Sequence, residues 1–266
     1  MLSDTHCHLF FDAFHEDFNE ILERAWESGI DRILVPGIDI RSSLDAITLA
    51  ETYENIFAAV GIHPNSASEW GSHQIKCLEE LCTHPKVVAI GEIGLDYYHD
   101  RTPVSVQKAA LKDQLDLAAD TSLPVILHCR RSFPDLIDII QAYVDALPAC
   151  STHKDHPGVF HSFEGTIEQS DEVINARFMI GVSGVVTYPK SDNLQHVVSD
   201  LSLQNTVVET DAPFLSPQPF RGKRNEPAFI ESTVNKIAEI CNLTPNDVAK
   251  VTSENANKIF NWRKTQ

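Results

Sequence analysis

Short apolar runs recur along the chain between longer stretches in which apolar residues return every three or four positions. The runs lie at 2–5, 32–36 (RILVP), 56–62 (IFAAVGI), 87–93 (VVAIGEI), 124–128 (PVILH), 158–162 (GVFHS), 178–182 (FMIGV) and 206–211 (TVVETD). Each is too short for a helix and lacks a polar alternate face, the pattern of strands buried on both sides of a parallel sheet. In DFNEILERAWESG, Phe18, Ile21, Leu22 and Ala25 share one helical stripe, and Gly29 marks its end. VQKAALKDQLDLAADTSLP places Ala110, Leu111, Gln114, Leu117 and Ala118 on another stripe before Pro124. RSFPDLIDIIQAYVDAL and PAFIESTVNKIAEICNL read the same way, and Thr244, Pro245, Asn246 and Asp247 open a final helix through Phe260. Eight such strands alternating with helices, with no linker or low-complexity tract, predict an α/β fold: a single (β/α)8 TIM-barrel-like domain over residues 1–266. A doubly wound open sheet is the alternative, and no Gly-x-Gly-x-x-Gly follows any strand to favour it.

The ends of these strands carry the candidate chemistry. SDTHCH places His6 and His8 two residues apart, so on an extended backbone both imidazoles face the same way and Cys7 faces the helix layer as packing. The fourth strand ends with Glu92, the fifth with His128, the sixth with His161 and the eighth with Asp211. Neutral imidazoles and carboxylates converging at one end of a barrel are costly to bury without a compensating positive charge. Four histidines with two carboxylates exceed what one tetrahedral ion takes and suit two divalent ions sharing a carboxylate. Zinc, magnesium, manganese, cobalt and nickel all accept such ligands.

Charge alters the choice of partner. A formal net charge of −17 leaves no basic surface for long-range capture of duplex nucleic acid. No apolar run approaches the ~20 residues that span a bilayer, so no membrane partner is expected. The opening residues lack a basic stretch followed by an apolar one, and a cytoplasmic location is the expectation. Six cysteines, at 7, 77, 82, 129, 150 and 241, show no Cys-x-x-Cys spacing and read as reduced thiols.

DTHCH, GIHP, GEIGLDYY, LHCR, FHSFEG, ETDAPFL, RGKRNEP and NANKIF, in this order across nearly the whole chain, resemble the TatD family of metal-dependent hydrolases within the amidohydrolase-like barrels. The resemblance implies a TIM barrel with two divalent ions and nuclease activity on DNA. It implies that His6, His8, Glu92 and Asp211 hold one ion, that Glu92, His128 and His161 hold the other, and that Glu92 bridges them. Two features depart from the family pattern: Phe10 and Phe11 stand where an acidic residue usually follows HCHL, with Asp12 two positions late, and a long connection carries His153 and His156 ahead of His161. Both of those histidines lie in polar loop sequence, so His161 remains the expected ligand.

The expected reaction is hydrolysis of phosphodiesters at DNA ends by metal-activated water, with Asp211 as ligand and general base. Glu209 and Asp4, each two residues before a ligand, are expected to orient ligands. Substrate contacts are expected from His63 and from Arg130, Arg221 and Arg224, with Lys223 beside them, since guanidinium suits phosphate. Single-stranded or 3′ ends of DNA are the expected partner, with no obligate protein partner. An alternative keeps the site and changes the bond: an amidohydrolase or deacylase acting on a small amide, lactone or acyl-tRNA ester. A non-catalytic metal-holding scaffold is the third possibility.

Overall fold

In the computed structural model, residues 2–148, 154–201 and 203–262 are described; Cys150 and His153 lie outside the described residues. The strands are β1 (Leu2–Asp4), β2 (Ile30–Pro36), β3 (Ile56–Val60), β4 (Val87–Asp96), β5 (Val125–Arg130), β6 (Gly158–Phe160), β7 (Met179–Val182) and β8 (Thr206–Val208). Between and after them run α1 (Phe18–Glu27), α2 (Ile40–Thr52), α3 (Ser72–Leu81), α4 (Val104–Thr121), α5 (Phe133–Ala146), α6 (Ile167–Asn175), α7 (Asp192–Asp200), α8 (Ile230–Cys241) and α9 (Pro245–Phe260). The strands follow chain order in an eight-stranded parallel sheet, the (β/α)8 class that the alternation predicts. α2, α3, α6 and α7 were not singled out by sequence periodicity. They fill crossovers that parallel neighbours require.

The chain falls into two compact units. One holds β1, most of β2, β7, β8 and helices α1, α7 and α8; the other holds β3 to β6 and α2 to α5. In the first, β1 lies parallel to β2 with Asp4 opposite Ile33, and β7 lies parallel to β8 with Val182 opposite Val208. The residues after β1 continue toward β8: the Thr5 N–H donates to Val208 O at 3.2 Å, and Cys7 bridges Ala212. α1 buries Ile21, Leu22 and Ala25 of its predicted stripe, with Phe18 half-buried at its start, and Gly29 follows at φ +84°, a value that favours glycine. Burying each large apolar side chain of this stripe contributes roughly 1.5–3 kcal/mol.

In the second unit every residue of β3 and β4 is buried, which is why β3 and the first half of β4 read as apolar runs. Gln107 and Gln114 lie two turns apart on the buried face of α4. Gln114 accepts from Ile62 N (2.7 Å) and donates to Ile62 O (3.2 Å), holding the chain just past β3. Gln107 does the same for Asp96, accepting from its N–H at 2.8 Å and donating to its carbonyl at 3.0 Å. These amides satisfy backbone groups that the sheet leaves unpaired near the site.

Strand limits differ from the sequence reading by up to three residues, with the greatest consequence for the site at β4 and β8. β4 continues beyond residue 93 to Asp96, in register with Arg130 of β5, so Glu92 sits within the strand rather than at its end. Gly94, just past the apolar run, is where the backbone passes His128 O too closely for any Cβ, at φ +145°. β8 stops at Val208, three residues before Asp211, where the backbone turns out of the ladder and Asp211 adopts φ +55°.

Candidate metal centre

Within the first unit, His6, His8, His161 and Asp211 come together. His6 Nε2 and His8 Nε2 are 3.1 Å apart, and Asp211 Oδ1 lies 3.6 Å from the former and 3.5 Å from the latter. The His161 ring stacks on His6 with centroids 3.9 Å apart, and ligand atoms of His6, His161 and Asp211 all lie within 4.8 Å of one another. All four side chains belong to buried residues.

Backbone pairing sets this geometry. His8 N donates to Ala212 O at 2.8 Å and Asp211 N donates to His6 O at 2.8 Å, while Cys7 N donates to Leu34 O on the other side. Residues 6 to 8 are therefore held extended from both edges, and period-two alternation puts both imidazoles on one face. Cys7 turns the opposite way, fully buried, with its thiol pushed well above the usual range by burial and by the neighbouring Asp4 and Asp211 carboxylates.

Two buried carboxylates brace this set. Asp4 accepts from Thr210 N (2.9 Å), Thr210 Oγ1 (2.6 Å) and His6 N (3.3 Å). It thus fixes the backbone next to both His6 and Asp211. Burial raises its carboxyl to about 7, against the lowering effect of the Thr210 bonds. Glu209 accepts from Ser162 N and lies 3.5 Å from His161 Nδ1. Gly181 makes room for it, since a Cβ there would sit 2.5 Å from Glu209 Oε2. Burial would raise the Asp211 carboxyl, but the hydrogen bond from His8 and the charges of His6, His161 and His8 outweigh it and hold the group below the usual carboxylate range.

The second unit gathers His63, Glu92 and His128. Glu92 Oε1 lies 2.8 Å from His128 Nδ1 and 3.5 Å from His63 Nε2, with the two rings 4.4 Å apart. His63 Nδ1 accepts from Asn65 N at 3.0 Å, so in the neutral ring the proton sits on Nε2. That proton suits His63 to donate to Glu92 or to a substrate oxygen. The other ring nitrogen of His128, Nε2, lies 3.4 Å from Asp96 Oδ2. Asp96 also accepts from His99 Nδ1 and Asn65 Nδ2, both at 2.8 Å, and from the N–H groups of Tyr98 and His99. Burial opposes ionisation of Asp96, yet the bonds from His128, His99 and Asn65 hold its carboxyl far below the usual range.

Both sets suit a divalent cation by the chemistry of their donors. His128 lies between two carboxylates, so with its Nε2 proton directed to Asp96, its Nδ1 turns a lone pair toward Glu92 unless a positive charge intervenes. His6 Nε2 and His8 Nε2 likewise face each other and Asp211 Oδ1.

The structure groups some residues differently from the resemblance. His161, expected beside Glu92 and His128, has its ring on His6 and its ligand atom with those of His6 and Asp211. His63, expected as a substrate contact, belongs to the Glu92 cluster. Arg224 is engaged by Asp17 at 2.6 and 2.7 Å, by Ala13 O at 2.7 Å and by Glu226 at 3.6 Å, so its guanidinium braces the fold. Arg130 lies exposed over Tyr98 at 5.4 Å and Arg221 exposed over Tyr188 at 4.4 Å. Asp96 was missed in the sequence, and its signal is the acid that closes the apolar run GEIGLD.

A (β/α)8 fold with buried histidine and carboxylate clusters beside its strands defines a metal-dependent hydrolase of the barrel type. The family model described as TatD related DNase matches residues 3–261, and the chain belongs to the TatD family. YabD of Bacillus subtilis, named an uncharacterized metal-dependent hydrolase, is 36% identical over 260 residues, 98% of this chain and 99% of its own. A Yersinia pseudotuberculosis protein named 3′-5′ ssDNA/RNA exonuclease TatD is 34% identical over 253 residues, 93% of this chain and 94% of its own. The crystal structure of YjjV, a TatD homologue from Escherichia coli K12, matches with a TM-score of 0.90 at 32% identity, covering 98% of each chain. No helix among the described residues is long and apolar enough to cross a membrane.

Proposed function

We propose that this hydrolase cleaves phosphodiester bonds at the ends of single-stranded nucleic acid, DNA foremost, with two divalent ions. The observation that carries the reading is the convergence of His6, His8, His161 and Asp211, with Asp211 Oδ1 3.5 Å from His8 Nε2 and 3.6 Å from His6 Nε2. His6, His8, His161 and Asp211 would hold one ion, and Glu92 and His128 the other. Bound there, divalent ions supply polarisation of a phosphoryl oxygen and acidification of water. Asp211 would accept the proton of the attacking water as general base. Asp96 keeps His128 turned toward Glu92. Arg130 and Arg221, exposed and stacked on tyrosines, contact phosphate oxygens of the substrate. The Yersinia relative's name supports the substrate class. A net charge of −17 disfavours long duplexes and favours short or single-stranded ends held locally.

The test is a panel of divalent metals crossed with end-labelled single-stranded DNA, RNA, duplex DNA and an acyl ester. Nucleotides are expected from single strands, with turnover abolished in Asp211→Asn and weakened in Arg130→Ala and Arg221→Ala. Ester turnover without nucleotide release, or arginine variants that cleave as wild type does, would overturn the reading.

A further inference from the structure

Beside the first cluster, three phenylalanines stand where a folded core has no use for them. Phe214 is 50% exposed, and Phe10 and Phe11 are half-buried, whereas Phe14, one turn further on, is fully buried and supplies the core contact of this segment. Phe10 and Phe11 have ring centroids 4.8 Å apart, and Phe11 meets Phe214 edge-on at 5.6 Å. All three rings surround one imidazole, with His8 centroids at 5.6, 5.5 and 6.2 Å from Phe10, Phe11 and Phe214 respectively. That imidazole is the one that lies 3.5 Å from Asp211. An aromatic patch open to water is thus continuous with the reacting end of the site, an arrangement that costs solvation unless a ligand covers it.

The loop that carries Phe214 is held still. Phe214 N donates to Asp211 O at 2.9 Å, and Asn225 Nδ2 donates to both Thr210 O and Phe214 O, at 2.8 and 2.6 Å. Two residues further on, Ser216 O accepts from the Tyr188 hydroxyl at 3.0 Å, and Arg221 lies over that tyrosine at 4.4 Å. One loop therefore presents a flat apolar face at Phe214 and a planar cation at Arg221. An aromatic face beside an exposed guanidinium matches a nucleotide, base and phosphate together, better than it matches an acyl chain.

We infer that Phe10, Phe11 and Phe214 form a stacking platform for an unpaired nucleobase next to the scissile phosphodiester, making them specificity-determining residues for frayed or single-stranded ends. The inference rests on the nuclease reading and deepens it. A base still paired in a duplex has its faces covered by its neighbours, so only an unstacked terminal base can use the platform. Because aromatic faces accept every base, the preference is for single-strandedness and not for sequence.

The test compares two single-stranded oligonucleotides that differ only at the terminal units, one with ordinary bases and one with abasic sugars, in the wild-type protein and in Phe214→Leu and Phe10→Leu/Phe11→Leu. Leucine keeps the apolar volume and removes the π-face, so the fold is retained while stacking is lost. The wild type is expected to show a KM about ten- to a hundredfold lower for the base-bearing end. In the leucine variants that ratio falls toward one, with the change confined to the base-bearing substrate. Equal KM for both ends in the wild type, or a ratio unchanged in Phe214→Leu, overturns the platform while leaving the nuclease reading intact. Release of nucleotides from neither oligonucleotide under any metal overturns the nuclease reading and the platform with it. A preference for long over short acyl esters that disappears in the same variants assigns the patch to an acyl group instead.

Discussion

Asp4 offers a test of how the fold holds the first histidine cluster. Its carboxylate takes three donors, Thr210 N, Thr210 Oγ1 and His6 N, inside a fully buried site. Asp4→Ala strands these donors without water. The threonine hydroxyl can rotate to another acceptor, so only the two backbone N–H groups count in full, at about 1–3 kcal/mol each. The expected loss is about 2–6 kcal/mol, a large share of the roughly 5–15 kcal/mol that holds a typical domain. Asp4→Asn keeps one oxygen for both N–H groups and turns its amide toward Thr210 Oγ1, so it costs under about 1 kcal/mol at pH 5. At that pH the wild-type carboxyl is itself protonated, since burial has raised it from 3.8 to about 7.

The sign of the pH effect follows from that direction. A carboxyl with its folded value above its unfolded one contributes stability that is fully present below 3.8 and is lost as pH rises through about 7. Between pH 5 and pH 8 the metal-free wild type should lose roughly 3 kcal/mol from this group. Asp4→Asn should lose none of it, and end above the wild type at pH 8. Urea midpoints at pH 5, 6, 7 and 8, with unchanged m-values, measure both effects. An alanine variant less than about 1 kcal/mol below wild type, or an asparagine variant with the wild-type pH slope, would refute the reasoning.

Three further outcomes follow from named contacts. Asp96→Ala releases His128 Nε2, and titration calorimetry should show metal affinity weakened about 10- to 100-fold, with unchanged affinity refuting an orienting role. Arg24→Ala removes the paired bonds of 2.8 and 2.7 Å to Glu226. Because Arg24 is 41% exposed and Arg224 still lies 3.6 Å from Glu226, thermal unfolding should register about 1–2 kcal/mol and not the larger loss of a fully buried pair. Gly181→Ala drives a methyl against Glu209 Oε2 and should cost about 1–3 kcal/mol, with a melting temperature like wild type showing that Glu209 has room to move.

Much of the scaffold is legible because burial on both faces leaves an unmistakable trace in the chain. β3 is apolar throughout, β4 is apolar but for the site carboxylates Glu92 and Asp96, and Ile21, Leu22 and Ala25 of the α1 stripe are buried. The helix start at Thr244 is equally local, and its hydroxyl accepts from Asp247 N at 3.2 Å. What is not legible depends on tertiary partners. The apolar run reads as closing at residue 93, because nothing in the sequence says that the backbone at Gly94 continues beside His128 O, and so Asp96 escapes notice. Arg224 reads as an open cation because Asp17, its partner, stands 207 positions away. The tautomer of His63 is set by a backbone N–H at Asn65, a contact invisible to any residue pattern. The stack of His161 on His6 likewise follows from packing and leaves no spacing to read.

The join between Cys7 and Ala212, 205 positions apart, has a consequence for biosynthesis. His6 and His8 leave the ribosome long before the backbone that clamps them, 205 positions further along from Cys7, is made. Until then the N-terminal imidazoles have no fixed orientation and no Asp211 beside them. A chain cut short before residue 211 lacks the Asp211 N–H that pairs with His6 O and the Ala212 carbonyl that pairs with His8 N, so its two imidazoles are left without the backbone pairing that puts them on one face.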